Sequence, residues 1–352
     1  MSLGNIWWEQ LGCSLRLLNQ LTNHLLDCRS AVLQAGQGLP WRRIFMEELN
    51  LRRSSFSGDR RMVQLDWDGQ MEPGESVLRN LCSQEVCIQY WPGISYAQYL
   101  ASLEDIMLHD YYVWVSNIHT EAEVQQWWDF VSAYESRRTS TLRRAVFILE
   151  YDGPEIGGAG PVVIPFRIEN HNCRVFCLEA ASALGNTGLV DYQAELALCI
   201  GGQDPEFCAA LLNMGEALLL DPVHTALDVI ECDRSSAGTP FPEKTELEIT
   251  SAVWKSALML LFPILEEYRM AFIDKYRADL VRHLPYHTSF GAIIREAEDL
   301  ELGHLWNIIS NNSRHIAPED YQTVKVFRQV RHRIAHIDTV PLGEVQAVLT
   351  RK

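Results

Sequence analysis

Near the end of the sequence, Arg331, His332 and His336 supply two imidazoles and a guanidinium within six positions. Histidine titrates near neutrality and can both take and give a proton. Arginine offers fixed donors to phosphate oxygens. Metal-independent RNA cleavage needs a proton acceptor for the 2′-hydroxyl, a proton donor for the leaving 5′-oxygen and a cation for the charged transition state. Arg328 and Arg333 flank the set and could hold further phosphates. On a helix, Arg331 and His336 would be about 140° apart, so they border one cleft without sharing a face. His332 and His336 also have the spacing of a metal-binding pair. No glutamate stands beside them as in HExxH, so no metal is expected.

The element that must position these groups reads as a helix. Pro318 suits its first turn, and Glu319 and Asp320 there face the positive end of the helix dipole. Val324, Phe327, Val330, Ile334 and Ile337 recur at spacings of three and four, forming one apolar stripe. Upstream, Leu247 to Leu280 and Phe290 to Ile309 read as a long and a shorter helix, and Pro341 opens a short final one. The arginine–histidine spacing occurs a second time, from Arg282 to His287, but Pro285 makes that copy a loop.

The phrase Arg331-His332-Arg333-Ile334-Ala335-His336, preceded by two helices and followed by a short one, resembles the motif helix of HEPN domains, small helical bundles of which many are ribonucleases. Thr288-Ser289-Phe290-Gly291 and His336-Ile337-Asp338 followed by Pro341-Leu342 add to the likeness, which covers residues 246–352. By that resemblance His336 is the acid/base, Arg331 the transition-state cation and His332 the auxiliary polar residue. It also implies a homodimer through the C-terminal bundle, RNA as partner, and a bacterial, phage-defence or toxin-like setting with protein partners in a defence complex. Many HEPN domains act instead as non-catalytic binding modules.

Composition sets the wider frame. A chain of 352 residues, 47% hydrophobic and 22% charged, can bury two or three cores. No run approaches eighteen apolar residues, so no membrane span is expected. The first residues lack the pattern of a signal peptide. Nine scattered cysteines without a CxxC pair read as reduced thiols of a cytoplasmic protein. The net charge of −16 excludes a chain-wide nucleic-acid binder, but it is uneven. Residues 246–352 hold 13 Lys+Arg and 14 Asp+Glu, against 17 and 32 elsewhere. An RNA-contacting surface therefore belongs in the C-terminal part.

The front half reads as α/β. An amphipathic helix over 5–28 precedes strands at 30–34, 61–67, 111–116, 144–150 and 174–178, with helices between. Strands this apolar imply a sheet covered on both faces, parallel and doubly wound. After the first strand, Gly36 and Gly38 precede a helix that starts at Arg42. That is the layout of a phosphate-binding loop, and these three residues are the nucleotide-binding candidates. The lysine and hydroxyl of the Walker pattern are missing, so ATPase chemistry and a bound cofactor are not expected, while ATP or GTP binding stays open. A second glycine loop, Gly157-Gly158-Ala159-Gly160, reads as a flexible connection. Arginines 52, 53, 60 and 61, and 137, 138, 143 and 144, read as solvated loops flanking strands. Tryptophans 7, 8, 127 and 128 read as core.

Helical periodicity from Val190 to Val229 then resembles the lid that follows the core of AAA+ and related signal-transduction ATPases, in degenerate form. The expected organisation is a degenerate P-loop-like doubly wound parallel sheet over 1–186, a helical lid over 187–232, a linker over 233–245 and a HEPN-like helical bundle over 246–352. The function implied is an endoribonuclease controlled by an inactive nucleotide-binding domain. The alternatives are a non-catalytic assembly subunit or a nucleotide sensor.

Overall fold

A computed structural model describes residues 2–55, 60–104, 106–136, 143–156, 160–185, 188–311 and 315–351. The chain divides into two compact units, Met1–Asn172 and Cys173–Lys352. The first is α/β, and the second is helical apart from one hairpin.

In the first unit, α1 (Leu3–Gln10) and α2 (Gly12–Leu26) precede β1 (Ala31–Gln34), and α3 (Arg42–Ser54) follows it. Then come β2 (Arg61–Asp66), α4 (Pro73–Leu81), α5 (Gln84–Gln89), α6 (Tyr96–Ser102), β3 (Tyr111–Ile118), α7 (Glu121–Glu135), β4 (Val146–Tyr151) and β5 (Val163–Pro165). The strands form one parallel sheet in the order β2-β3-β4-β1-β5. Its two faces are both covered, as strands this apolar require. Val113, Val115, Phe147 and Leu149 share a buried core with Val77, Leu100 and Trp127 of α4, α6 and α7. On the other face the rings of Trp114 and Phe45 lie 5.6 Å apart, and Phe45 lies 4.8 Å from Trp8. Trp7, Trp8 and Trp127 are fully buried.

The fifth strand is not where the apolar run predicts it. Arg174–Leu178 lies inside α8 (Asn170–Ala183). Its buried residues Cys173, Phe176, Cys177, Ala180 and Ala181 follow the period of a helix. The fifth strand is Val163–Pro165, at the sheet edge, where proline costs no ladder hydrogen bond.

The flanking arginines also differ from expectation. Arg53, Arg60 and Arg144 are buried, at 8%, 7% and 4% exposure. They form a relay across the start of the sheet. Arg53 donates to the carbonyl of Arg60, Arg60 to that of Arg144 (2.8 Å), and Arg144 to that of Ala101 (2.7 Å). Arg53 and Arg60 lie over the ring of Tyr112, and Arg144 over that of Tyr134. Guanidinium is weakly hydrated and planar, so carbonyls and aromatic faces can replace its water. Arg137, Arg138 and the glycines at 157 and 158 lie outside the described residues.

The second unit continues from α8 through α9 (Val190–Gly201), α10 (Pro205–Asn213), α11 (Glu216–Leu220) and α12 (Pro222–Cys232). After them come α13 (Glu246–Lys275), α14 (Arg277–Leu280), a hairpin of β6 (Tyr286–His287) and β7 (Ile293–Ile294), α15 (Leu302–Asn311), α16 (Pro318–Ala335) and α17 (Leu342–Leu349). A Thr245–Glu248 capping box opens α13. This helix packs on α9, α12, α16 and α17. Thus the helices over 190–232 share a unit with the C-terminal helices. By length and composition α13 alone, among the described residues, could cross a membrane, and 28% of its most apolar stretch is buried. The helix predicted over Phe290–Ile309 begins only at Leu302. Pro285 and Gly291 (φ +83°) break the segment before it, and β-branched Ile293 and Ile294 pair in the hairpin instead.

Candidate functional site

Helix α16 starts at Pro318 and ends at Ala335, with His336 as its C-cap. Val324, Phe327, Val330 and Ile334 are buried along one stripe. Phe327 meets Tyr268 of α13 at 4.8 Å, and Trp254 of α13 donates its indole N–H to the Ile334 carbonyl at 2.8 Å. These contacts fix the rotation and the last turn of the motif helix. Ile337 does not continue the stripe. It sits in the left-handed region (φ +63°) and is 61% exposed. Its N–H donates to Ile334 and that of Asp338 to Arg333 (2.9 Å), so the chain reverses through a Schellman turn that normally selects glycine.

That turn leaves His332 and His336 exposed and in contact, with ring centroids 4.3 Å apart and planes inclined by 58°. Arg331 Nη2 lies 2.8 Å from Glu301 Oε2, an ion pair open to solvent on both sides. Sequence reasoning did not single out Glu301 as this partner, because it lies outside the motif helix. Arg333 Nε donates to Glu344 of α17 at 3.1 Å, and Arg328 lies 5.6 Å over the ring of Trp306. Thus the two imidazoles adjoin, Arg331 is held by an exposed carboxylate, and Arg328 and Arg333 have protein partners. Two neighbouring imidazoles can divide proton abstraction and proton donation between them.

The phosphate-loop candidates in the first unit are arranged differently. Open parallel sheets bind ligands beyond their strand carboxyl ends, where successive connections diverge. Here that point lies between β1 and β4, and the two loops touch. A Cβ at Gly36 would stand 3.2 Å from the Gly153 carbonyl oxygen. Gly38 is in a tight turn (φ +74°), its N–H donating to the Ala35 carbonyl. Trp8 Nε1 donates to Pro40 in the same loop (2.6 Å). Arg42 pairs with Glu150 at 2.8 Å, and Glu150 also accepts from Trp114 Nε1. Sequence reasoning also missed His119, whose Nδ1 lies 2.8 Å from Asp152 Oδ1 at the ends of β3 and β4.

Among the described residues, no three His, Cys, Asp or Glu side chains are grouped to hold a metal ion. No protein-family model, curated protein or solved structure matches the chain.

Proposed function

We propose that the chain is a HEPN-type, metal-independent endoribonuclease, with its site at the end of α16 and a homodimer formed through the C-terminal helices. The observation that carries this reading is the exposed contact between His332 and His336 one residue from Arg331. In the proposed reaction one imidazole takes the proton of a ribose 2′-hydroxyl. The 2′-oxygen then attacks the adjacent phosphorus. The second imidazole, in its protonated form, gives its proton to the departing 5′-oxygen. The products are a 2′,3′-cyclic phosphate and a 5′-hydroxyl end. Arg331 exchanges Glu301 for the phosphate oxygens, an exchange favoured by the small net worth of an exposed ion pair.

The test is cleavage of single-stranded RNA in EDTA. His336→Ala and His332→Ala should each lower the rate by about 100-fold or more, with melting temperatures unchanged because both rings are exposed. A wild-type chain that leaves RNA intact would overturn the proposal. A second reading, a non-catalytic assembly subunit, is favoured by the exposed Met259, Phe262 and Met270 of α13.

A further inference from the structure

The loop copy of the arginine–histidine spacing has a setting of its own. Leu280 to Arg295 contains no acidic residue, although the chain carries −16 overall, and includes Arg282, His283, His287, Arg295, Tyr286 and Phe290; Arg282 is paired with Asp279, just before the stretch, at 3.3 Å. Cations interleaved with aromatic rings form the chemical pattern that grips a single strand of nucleic acid. The β6–β7 hairpin shapes this stretch into one wall of a groove of about 510 Å³. Val281, Leu284, Pro285 and Ile293 give the groove an apolar side, while Arg277, Arg295 and Glu296 stand among its polar lining. Arg277 is held by Asp274 and Glu298, at 2.9 and 2.7 Å. Among the described residues, Arg295 and His287 have no carboxylate partner. At the hairpin tip, Thr288 and Ala292 close a turn that presents Phe290 at 98% exposure.

The geometry points to a nucleotide subsite in this groove, which takes one nucleoside phosphate of a single-stranded RNA while Phe290 stacks a neighbouring base. The apolar wall suits a base, and Arg295 suits the phosphate. Glu296 can accept from a ribose hydroxyl or a base amino group. The volume suits one nucleotide rather than a duplex, whose bases are stacked and turned inward. A chain of contacts leads from here to the motif helix. The Tyr286 ring lies 5.3 Å from that of His304, His304 accepts from the Glu301 N–H, and Glu301 pairs with Arg331. The subsite deepens the ribonuclease reading, and its placing beside a cleavage site rests on that reading, but its test is binding rather than cleavage.

The test uses the full chain, with a fluorescent twelve-nucleotide oligo(U) RNA followed by anisotropy across a salt series. Phe290→Ala should weaken binding at least five-fold with the salt slope unchanged. Arg295→Ala should weaken it and lower that slope by roughly 0.7, the value for one lost phosphate contact on a single strand. Both side chains are exposed, so melting temperatures should match the wild type. Wild-type affinity in both variants would overturn the subsite, as would an absence of wild-type binding at 100 μM protein. UMP bound as tightly as the oligonucleotide would overturn the strand assignment. So would an acidic, aromatic peptide that binds with the same Arg295 dependence while RNA does not. RNA bound as expected but never cut would count against the ribonuclease reading alone.

Discussion

Ile337 holds a backbone conformation that a β-branched residue enters only at a cost, here imposed by the reversal that exposes His336. Ile337→Gly should therefore raise stability by about 1 kcal/mol, read as a higher denaturation midpoint. No change, or a loss, would show that the Ile337 side chain contributes contacts outweighing the strain. His109 offers a second test at this scale. Its Nε2 lies 2.8 Å from the Leu103 carbonyl and its Nδ1 2.8 Å from Tyr134 Oη, while Tyr134 accepts from the Ala145 N–H. Nε2 also lies 3.1 Å from Arg144 Nη1, so a guanidinium donor and a carbonyl acceptor both face it. Burial lowers its pKa below the ordinary 6.5; the Leu103 carbonyl opposes this, Arg144 and Arg60 add to it, and Asp110 partly offsets them. A histidine with a lowered folded pKa stabilises fully above its unfolded value, and that contribution fades as pH falls through the window below about 6.5. His109→Gln should be less stable at pH 7 yet lose less melting temperature between pH 7 and 5. His24 shifts in the same direction in both proteins, so the difference isolates His109. The residue types at the candidate site were legible in the sequence. Glu301 was not, because the pairing depends on how α15 and α16 meet.

At the scale of elements, Pro318, Glu319 and Asp320 do open α16 as their chemistry predicts. Asp320 also locks its start. It accepts from Lys275 Nζ at 2.7 Å and Tyr276 Oη at 2.6 Å, and Tyr276 Oη accepts the Ala317 N–H. Burial alone would raise this carboxyl; the Lys275 and Tyr276 bonds outweigh it and hold it below the usual value. Such a group stabilises above its unfolded pKa and ceases to do so as pH falls through its lowered one. Asp320→Asn should cost about 1–2 kcal/mol at pH 7, and the gap from wild type should close below pH ~4. An unchanged gap at pH 3 would refute this account. The strands β1, β3 and β4 were readable as apolar runs, and α16 by its helical period. Arg174–Leu178 was misread because a short apolar run has no period of its own, and the pattern of α8 emerges only over its whole length. The β6–β7 hairpin was hidden because its two-residue strands are too short to show alternation.

At the scale of the whole molecule, the chain forms two compact units, and most of the negative charge lies before residue 246. Calorimetry should resolve two transitions, with His109→Gln moving one and Asp320→Asn the other. A single transition moved by both would mean that the units unfold together. The doubly covered parallel sheet was legible because the runs of β1, β3 and β4 are apolar. The grouping of the helices over 190–232 with the C-terminal ones was not, since contact between distant segments leaves no local periodicity.

The arginine relay makes one further demand on any attempt to redesign the start of the sheet. Arg53 and Arg60 are each anchored to the backbone oxygen of the next arginine, and Arg144 to that of Ala101, so displacing one member loosens the acceptor or the donor of its neighbour. The cost of a second change should then be smaller than the same change made alone. In a thermodynamic cycle on Arg60 and Arg144, the pair would behave as one fastening with two names.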